Sequence, residues 1–207
     1  MNKELNKDQL LESIIGIPTN LYLALKGRPA MLRHLRFANL CGLDGKNAMF
    51  SHFDTDVQLP SLNPYGGIES FKGLNFHLQR GFVWNAQQCS DLVKSVFRGV
   101  YIPPLHVYCT DNDSGRYEVI DGKQRLTAIY KFGTNQTPMF VDNTEIYFRD
   151  LPKRMQDIFA TSLLLAIEID AQEYPLTDKE KIQWFLFINH SGTAVQNVHI
   201  DKLEGLL

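Results

Sequence analysis

Tyr117–Phe132 reads YEVIDGKQRLTAIYKF, and the reading of this stretch decides the fold. Tyr117–Ile120 has the residue types of a short strand, and Gly122–Phe132 has helical spacing, so an abrupt strand-to-helix turn falls at Asp121-Gly122-Lys123-Gln124-Arg125. Such a turn aims backbone N–H groups into a cleft, and a helix N-terminus favours an anion there. Two readings fit. Asp121 and Gln124 have the spacing of a helix capping box. Alternatively, Lys123 and Arg125 place two cations in the first turn, against the helix dipole, which makes sense if an anion sits between them. Gly122 would let that anion approach the backbone closely.

Outward from this turn the elements alternate. Asn85–Arg98 is predicted as a helix with Cys89, Leu92, Val93, Val96 and Phe97 along one side. Leu105–Cys109 and Tyr117–Ile120 are predicted strands joined by the turn-rich Thr110–Arg116. Pro138–Val141 and Glu145–Tyr147 read as a hairpin across Asp142-Asn143. Pro152–Ser162 reads as a helix, Leu163–Asp170 as a strand and Asp178–Ile188 as a helix. Upstream, residues 4–26 and Arg28–Leu43 read as mainly helical, residues 52–67 as a loop, and Phe71–Phe76 as a short strand. The pattern predicts an α+β fold: a helical N-terminal extension over residues 1–66, then a mixed α/β domain over residues 67–207.

The chain has 207 residues and ordinary globular composition, enough for a sizeable core. Its net charge of −2 excludes a general polyanion binder, but the charge is uneven. The middle of the chain is basic and the last third acidic. Cys41, Cys89 and Cys109 are far apart and show no C-x-x-C, which argues against a disulfide scaffold or zinc ribbon and for a reducing compartment. There is no secretory signal and no apolar run long enough to span a membrane, so a cytoplasmic protein with no membrane partner is expected.

Two further stretches carry polar groups suited to a ligand. Gln79-Arg80-Gly81-Phe82-Val83-Trp84 precedes the helix near Asn85. Arg80 offers a bidentate fork to phosphate, Gln79 an amide for a base or sugar edge, and Phe82 and Trp84 either stack on a base or pack in the core. Phe187-Ile188-Asn189-His190-Ser191-Gly192-Thr193 ends a helix in a polar turn, where Asn189 and Thr193 either cap the helix or hold a ligand. Asp54, Asp56, His34 and His52 match no established metal-ligand spacing. Lys26, Arg28, Arg33, His34 and Arg36 form a basic patch suited to nucleic-acid backbone or to a solvated helix face. No Walker-type loop, nucleophile elbow or H-E-x-x-H occurs.

Taken in order, Gln79-Arg80-x-Phe82-x-Trp84, Ile120-Asp121-Gly122-Lys123-Gln124-Arg125-Leu126-Thr127 and Phe187-Ile188-Asn189-x-Ser191-Gly192-Thr193 resemble the N-terminal domain family of GmrSD-type modification-dependent restriction enzymes. The resemblance covers roughly residues 68–200. It implies a ParB/sulfiredoxin-like core that binds and hydrolyses a nucleoside triphosphate with Mg²⁺ and regulates cleavage of modified DNA by a separate His-Asn-His nuclease domain; no such domain is read in residues 1–207. It further implies Asp121, Gln124 and Arg125 at the phosphates, with Asp121 also at the metal. Gln79, Arg80, Trp84, Gly122 and Lys123 would line the same pocket, with Asn189 and Thr193 closing it. The chain departs from the family pattern at position 123, where Lys replaces the usual Gln, and at Phe82, where Tyr is usual. The lysine either strengthens phosphate binding or displaces the metal that hydrolysis needs.

Three functions are therefore expected to compete. The first is a nucleotide-binding NTPase tied to DNA restriction, anti-phage defence or counter-defence. The second is a ParB-like DNA-binding protein or nuclease. The third is a non-catalytic regulator or inhibitor of a restriction system, including a stand-alone copy of the kind a phage would carry. The expected partners are a nucleotide, DNA and a separate nuclease.

Overall fold

The computed structural model describes residues 31–59 and 77–190. The helix expected at 4–26, the strand at Phe71–Phe76 and the turn residues Ser191, Gly192 and Thr193 lie outside them. In chain order the described elements begin with strand β1 (Met31–Arg36), the short helix α1 (Phe37–Cys41), a 3-10 turn at Met49–His52 and strand β2 (Phe53–Asp54). They continue with α2 (Ala86–Phe97), β3 (Leu105–Asp111), β4 (Arg116–Asp121) and α3 (Lys123–Gly133). The hairpin β5 (Met139–Val141) and β6 (Thr144–Ile146) leads to α4 (Lys153–Thr161), β7 (Leu163–Asp170) and α5 (Asp178–His190).

The main sheet has strand order β1-β7-β3-β4-β2. The pairs β1/β7 and β3/β4 are antiparallel, while β7/β3 and β4/β2 are parallel. The fold is α+β, with a mixed sheet covered by helices. Alternation along the strands sorts side chains onto two faces. Leu105, Val107, Tyr117, Val119, Leu164 and Ala166 pack against the layer formed by α1 to α4, whose centre is Phe37, Phe132 and Phe159. Tyr108, Ile120 and Ile169 pack on the other face against α5 through Ile182, Trp184 and Leu186. Trp184, Phe37, Phe132 and Phe159 are fully buried, together with Leu40, Leu105, Ile120, Leu126 and Ile129.

The expected hairpin forms with its turn at Asp142 and Asn143, both at positive φ. Positive φ at both central residues marks the turn type whose twist suits a two-residue hairpin. The helix expected across Arg28–Leu43 divides instead. Met31–Arg36 is a strand on the edge of the sheet, and only Phe37–Cys41 is helical. Its residue types are good helix formers, yet pairing with β7 along all six residues overrides that preference. Arg33 also gains the Glu168 carboxylate at 2.5 Å and the face of the Tyr117 ring. Within the stretch read as a loop, Phe53 and Asp54 add a strand beside Tyr117 and Glu118. Thus β1 and β2, both from residues 31–59, are hydrogen-bonded into the same sheet as β3, β4 and β7.

Candidate functional site

The strand-to-helix turn forms as expected. Strand β4 ends at Asp121, and α3 begins at Lys123 with Gly122 as its N-cap. Gly122 has φ of 102°, which an L side chain rarely adopts. A Cβ there would also collide with the Leu105 side chain. Glycine is thus required by both backbone and packing.

The capping-box reading of Asp121 and Gln124 is corrected. Gly122, not Asp121, is the N-cap, and no side chain caps α3. Gln124 uses its amide elsewhere. Its Nε2 donates to Gly81 O at 2.9 Å, while its Oε1 accepts from Val83 N at 3.0 Å and Trp84 N at 3.2 Å. A side chain from the first turn of α3 therefore ties down the 81–84 segment, some forty residues upstream. A true capping box does occur at the start of α2, between Asn85 and Gln88, and the spacing Asn-x-x-Gln in the sequence was its signal.

Gln79 is buried and donates from Nε2 to Val119 O at 2.6 Å, fixing its segment beside β4. Arg80 is exposed, and Phe82 and Trp84 are half-buried. The Lys131 ammonium lies over the Phe82 ring at 4.5 Å. The first two motif segments are thus in direct contact at one end of the sheet.

Arg125 is one-fifth exposed. Its Nη2 donates to Asp121 Oδ2 at 2.8 Å and to Pro104 O at 3.1 Å. Its Nε is buried without a hydrogen-bond partner among the described residues. His106 stands opposite Asp121 in the β3/β4 register. Burial pushes its pKa down from 6.5 to about 4, with Asp121 raising it and Arg125 lowering it, so the ring is neutral at neutral pH. Its Nδ1 is likewise buried without a partner, and the ring meets Trp184 edge-on at 6.0 Å. Two orphaned nitrogens beside one carboxylate are unusual, because an unpaired buried polar group costs about 1–3 kcal/mol.

Lys123 points away from this pair. Its side chain is 7% exposed and its Nζ lies 3.5 Å from Asp56 Oδ1. His77 Nδ1 lies 3.2 Å from the same oxygen. The backbone explains the meeting. Leu78 N donates to Val57 O, and Gln58 bridges His77, so residues 56–58 run beside 77–79. Since β2 is parallel to β4, that strip continues towards the Asp121 end. Sequence reading missed His106 and His77 altogether and left Asp56 in a loose metal group. Their partners are too distant in the chain to leave a local signal.

On the third motif, Asn189 Nδ2 donates to Phe185 O at 2.7 Å within α5. Helix α5 runs in the direction of β4: Lys181 pairs with Glu118 at 2.7 Å, and Trp184, one turn on, meets His106. Its C-terminal end therefore emerges on the Asp121 side of the sheet. An open polar cleft of about 230 Å³ lies at the opposite end of β4, lined by Ser51, His52, Asp54, Thr110, Arg116 and Glu118, and holds none of the motif residues. Among the described residues there is no group of three or more His, Cys, Asp or Glu suited to a metal. Cys41, Cys89 and Cys109 are free and buried, and burial raises all three thiols, Cys41 to about 12.

Fold and site together define an α+β domain whose first two motif segments meet at one glycine-initiated strand-to-helix turn. A family model described as the N-terminal domain of GmrSD restriction endonuclease matches residues 77–201. That is more than half of the chain, and the protein belongs to this family. Membership ties it to restriction-system defence. No curated protein and no solved structure matches the chain. Among the described residues no helix is long and apolar enough to cross a membrane.

Proposed function

We propose that the turn at Asp121–Arg125 binds the phosphates of a nucleoside triphosphate, and that the domain hydrolyses it as part of a restriction or counter-restriction system acting on DNA with a nuclease partner. The observation that carries this reading is the first turn of α3. Among the described residues its N–H groups have no side-chain cap, and Arg125 beside them keeps a buried Nε without an acceptor. A phosphate at that position would gain charge-assisted hydrogen bonds from those N–H groups and from the part-exposed Arg125 guanidinium, and the favourable end of the helix dipole.

Each residue has a role in this reading. Gly122 shapes the turn. Arg125 faces the phosphates and, through its bond to Asp121, sets the position of the carboxylate. Gln124 holds the 81–84 segment as one wall, which brings exposed Arg80 to the rim and Trp84 close enough to pack on a base. Gln79 supports β4 from below. Asn189 stands near the end of α5 on the far side, and the resemblance would add Thr193, which lies outside the described residues.

For magnesium, the donor set offers Asp121 alone, already bonded to Arg125. That fits an ion arriving on the phosphates, since Mg²⁺ is commonly held by one or two carboxylates plus substrate phosphate and water. Bound there, it would neutralise charge developing on the transferred phosphoryl group. The protein's share is to hold Asp121 where it can orient a water and to set Arg125 against the developing negative charge. The test is phosphate release from each of the four common nucleoside triphosphates with Mg²⁺. Turnover lost in Asp121→Asn and Arg125→Ala supports the reading. No turnover with any of them removes the hydrolytic part, and plasmid cleavage dependent on Asp121 would favour an autonomous nuclease instead.

A further inference from the structure

Lys123 and His77 converge on one oxygen of Asp56, and the contact has the marks of a placeholder. The lysine stem is buried at 7% exposure, while the Asp56 side chain is 63% exposed. The cation is thus fixed in the protein and the anion stands on the solvent side. The Lys123–Asp56 separation of 3.5 Å is well beyond the 2.7–2.9 Å typical of a charge-assisted hydrogen bond. His77 Nδ1 is close to the same oxygen at 3.2 Å but is buried without an aligned hydrogen-bond partner among the described residues. Lys123 and, in its Nδ1–H tautomer, His77 share one poorly aligned acceptor and are under-satisfied. Lys123 also sits in the first turn of α3, where a cation is disfavoured unless an anion compensates it.

We infer that Lys123 and His77 form a second anion subsite beside the Asp121–Arg125 turn, one that takes a phosphate group and is filled by the chain's own Asp56 carboxylate when no ligand is bound. This rests on the proposed nucleotide reading only for the identity of the larger ligand; the subsite itself follows from the three side chains. Asp56 belongs to the strip next to β2, outside the stretch matched by the family, so the competing anion is supplied by this chain's own preceding segment. Asp56 is the carboxylate that balances the Lys123 charge. An incoming phosphate offers more acceptor oxygens than a carboxylate and can satisfy both donors at once. It must displace only an exposed, loosely held partner, a contact of the strength typical of surface ion pairs.

The test is a calorimetric titration of the full chain with inorganic phosphate, tripolyphosphate and ATP. It uses wild type, Asp56→Asn, Asp56→Ala, Lys123→Gln, Arg125→Ala and the Asp56→Asn/Lys123→Gln pair, with each variant's fold checked by circular dichroism. Asp56→Asn and Asp56→Ala are expected to bind tripolyphosphate about threefold to fivefold more tightly, the gain from removing an exposed competing ion pair. Lys123→Gln is expected to weaken binding and to abolish that gain in the double variant. Unchanged or weaker binding in folded Asp56→Asn, or a gain that survives Lys123→Gln, overturns the inference. The arms also separate it from the nucleotide reading. A gain for tripolyphosphate without ATP binding leaves the subsite standing and removes ATP as the nucleotide. ATP binding that requires Arg125 but ignores Asp56 does the reverse. Binding of no anion to any folded variant overturns both.

Discussion

Replacing Gly122 by alanine is the perturbation that probes the turn most sharply. The φ of 102° costs a residue with a Cβ about 1–2 kcal/mol. The added methyl would also overlap the Leu105 side chain and come within 3.0 Å of Arg125 Nη2. Forcing an extra methyl into packed surroundings costs about 1–3 kcal/mol. Reduced freedom in the unfolded chain returns about 0.4–1 kcal/mol. The expected net loss is about 2–4 kcal/mol, a fall in Tm of roughly 5–15 °C for a chain of this size. Gly99 is the matched control: its φ is also positive, at 66°, but a Cβ there meets nothing within 4 Å. Denaturant melts of Gly122→Ala, Gly99→Ala and Gly122→Ala/Leu105→Ala separate the two causes. The Leu105 truncation should recover part of the Gly122→Ala loss as a favourable coupling of about 1 kcal/mol or more. A Gly122→Ala protein no less stable than Gly99→Ala, with no coupling to Leu105, would refute the close-packed turn.

Other predictions follow from neighbouring contacts. Gln124→Ala removes three hydrogen bonds to the 81–84 segment, so the Val83 and Trp84 amides should lose protection in hydrogen exchange while global stability falls by only about 1–2 kcal/mol. His106 has a pKa depressed to about 4 in the fold against 6.5 ordinarily, so its contribution is complete above pH 6.5 and is lost as pH falls through 4. This is a loss of about 3 kcal/mol, and His106→Asn should flatten that part of the stability–pH profile. Glu168 has the opposite sign: burial raises its pKa above 4.5 despite Arg33, so its own contribution is complete below pH 4.5 and is lost as pH rises through the folded value. Glu168→Gln should remove that decline, as seen in urea melts across the acid range. Trp84 fluorescence should report nucleotide addition in wild type and lose its response in Gln124→Ala, where the wall carrying Trp84 is released.

What the sequence made legible was local. The Tyr117–Phe132 junction, strand Leu163–Asp170 and the hairpin turn at Asp142-Asn143 each carry their signal within a few residues, as periodicity, a glycine or a turn pair. What it hid was set by distant partners. Met31–Arg36 is a strand because β7 lies beside it, not because of its own residue types. The spacing of Asp121 and Gln124 imitated a cap, but Gln124 found better acceptors and donors in a segment that only the fold brings near. Lys123 was legible as an unusual cation and illegible in direction, because Asp56 reaches it through the strip beside β2. His106 left no trace in the sequence, since its meaning comes from standing opposite Asp121 and under Trp184.

The most direct test of the central claim is an equilibrium titration of the four common nucleoside triphosphates, with Mg²⁺, into wild type and Arg125→Ala, each confirmed to be folded. Saturable binding of at least one of them to wild type is expected, weakened tenfold or more in Arg125→Ala, as follows when a charged hydrogen bond worth about 1.5–3 kcal/mol is removed. Equal affinity in the two proteins, or no binding to folded wild type, would contradict the claim.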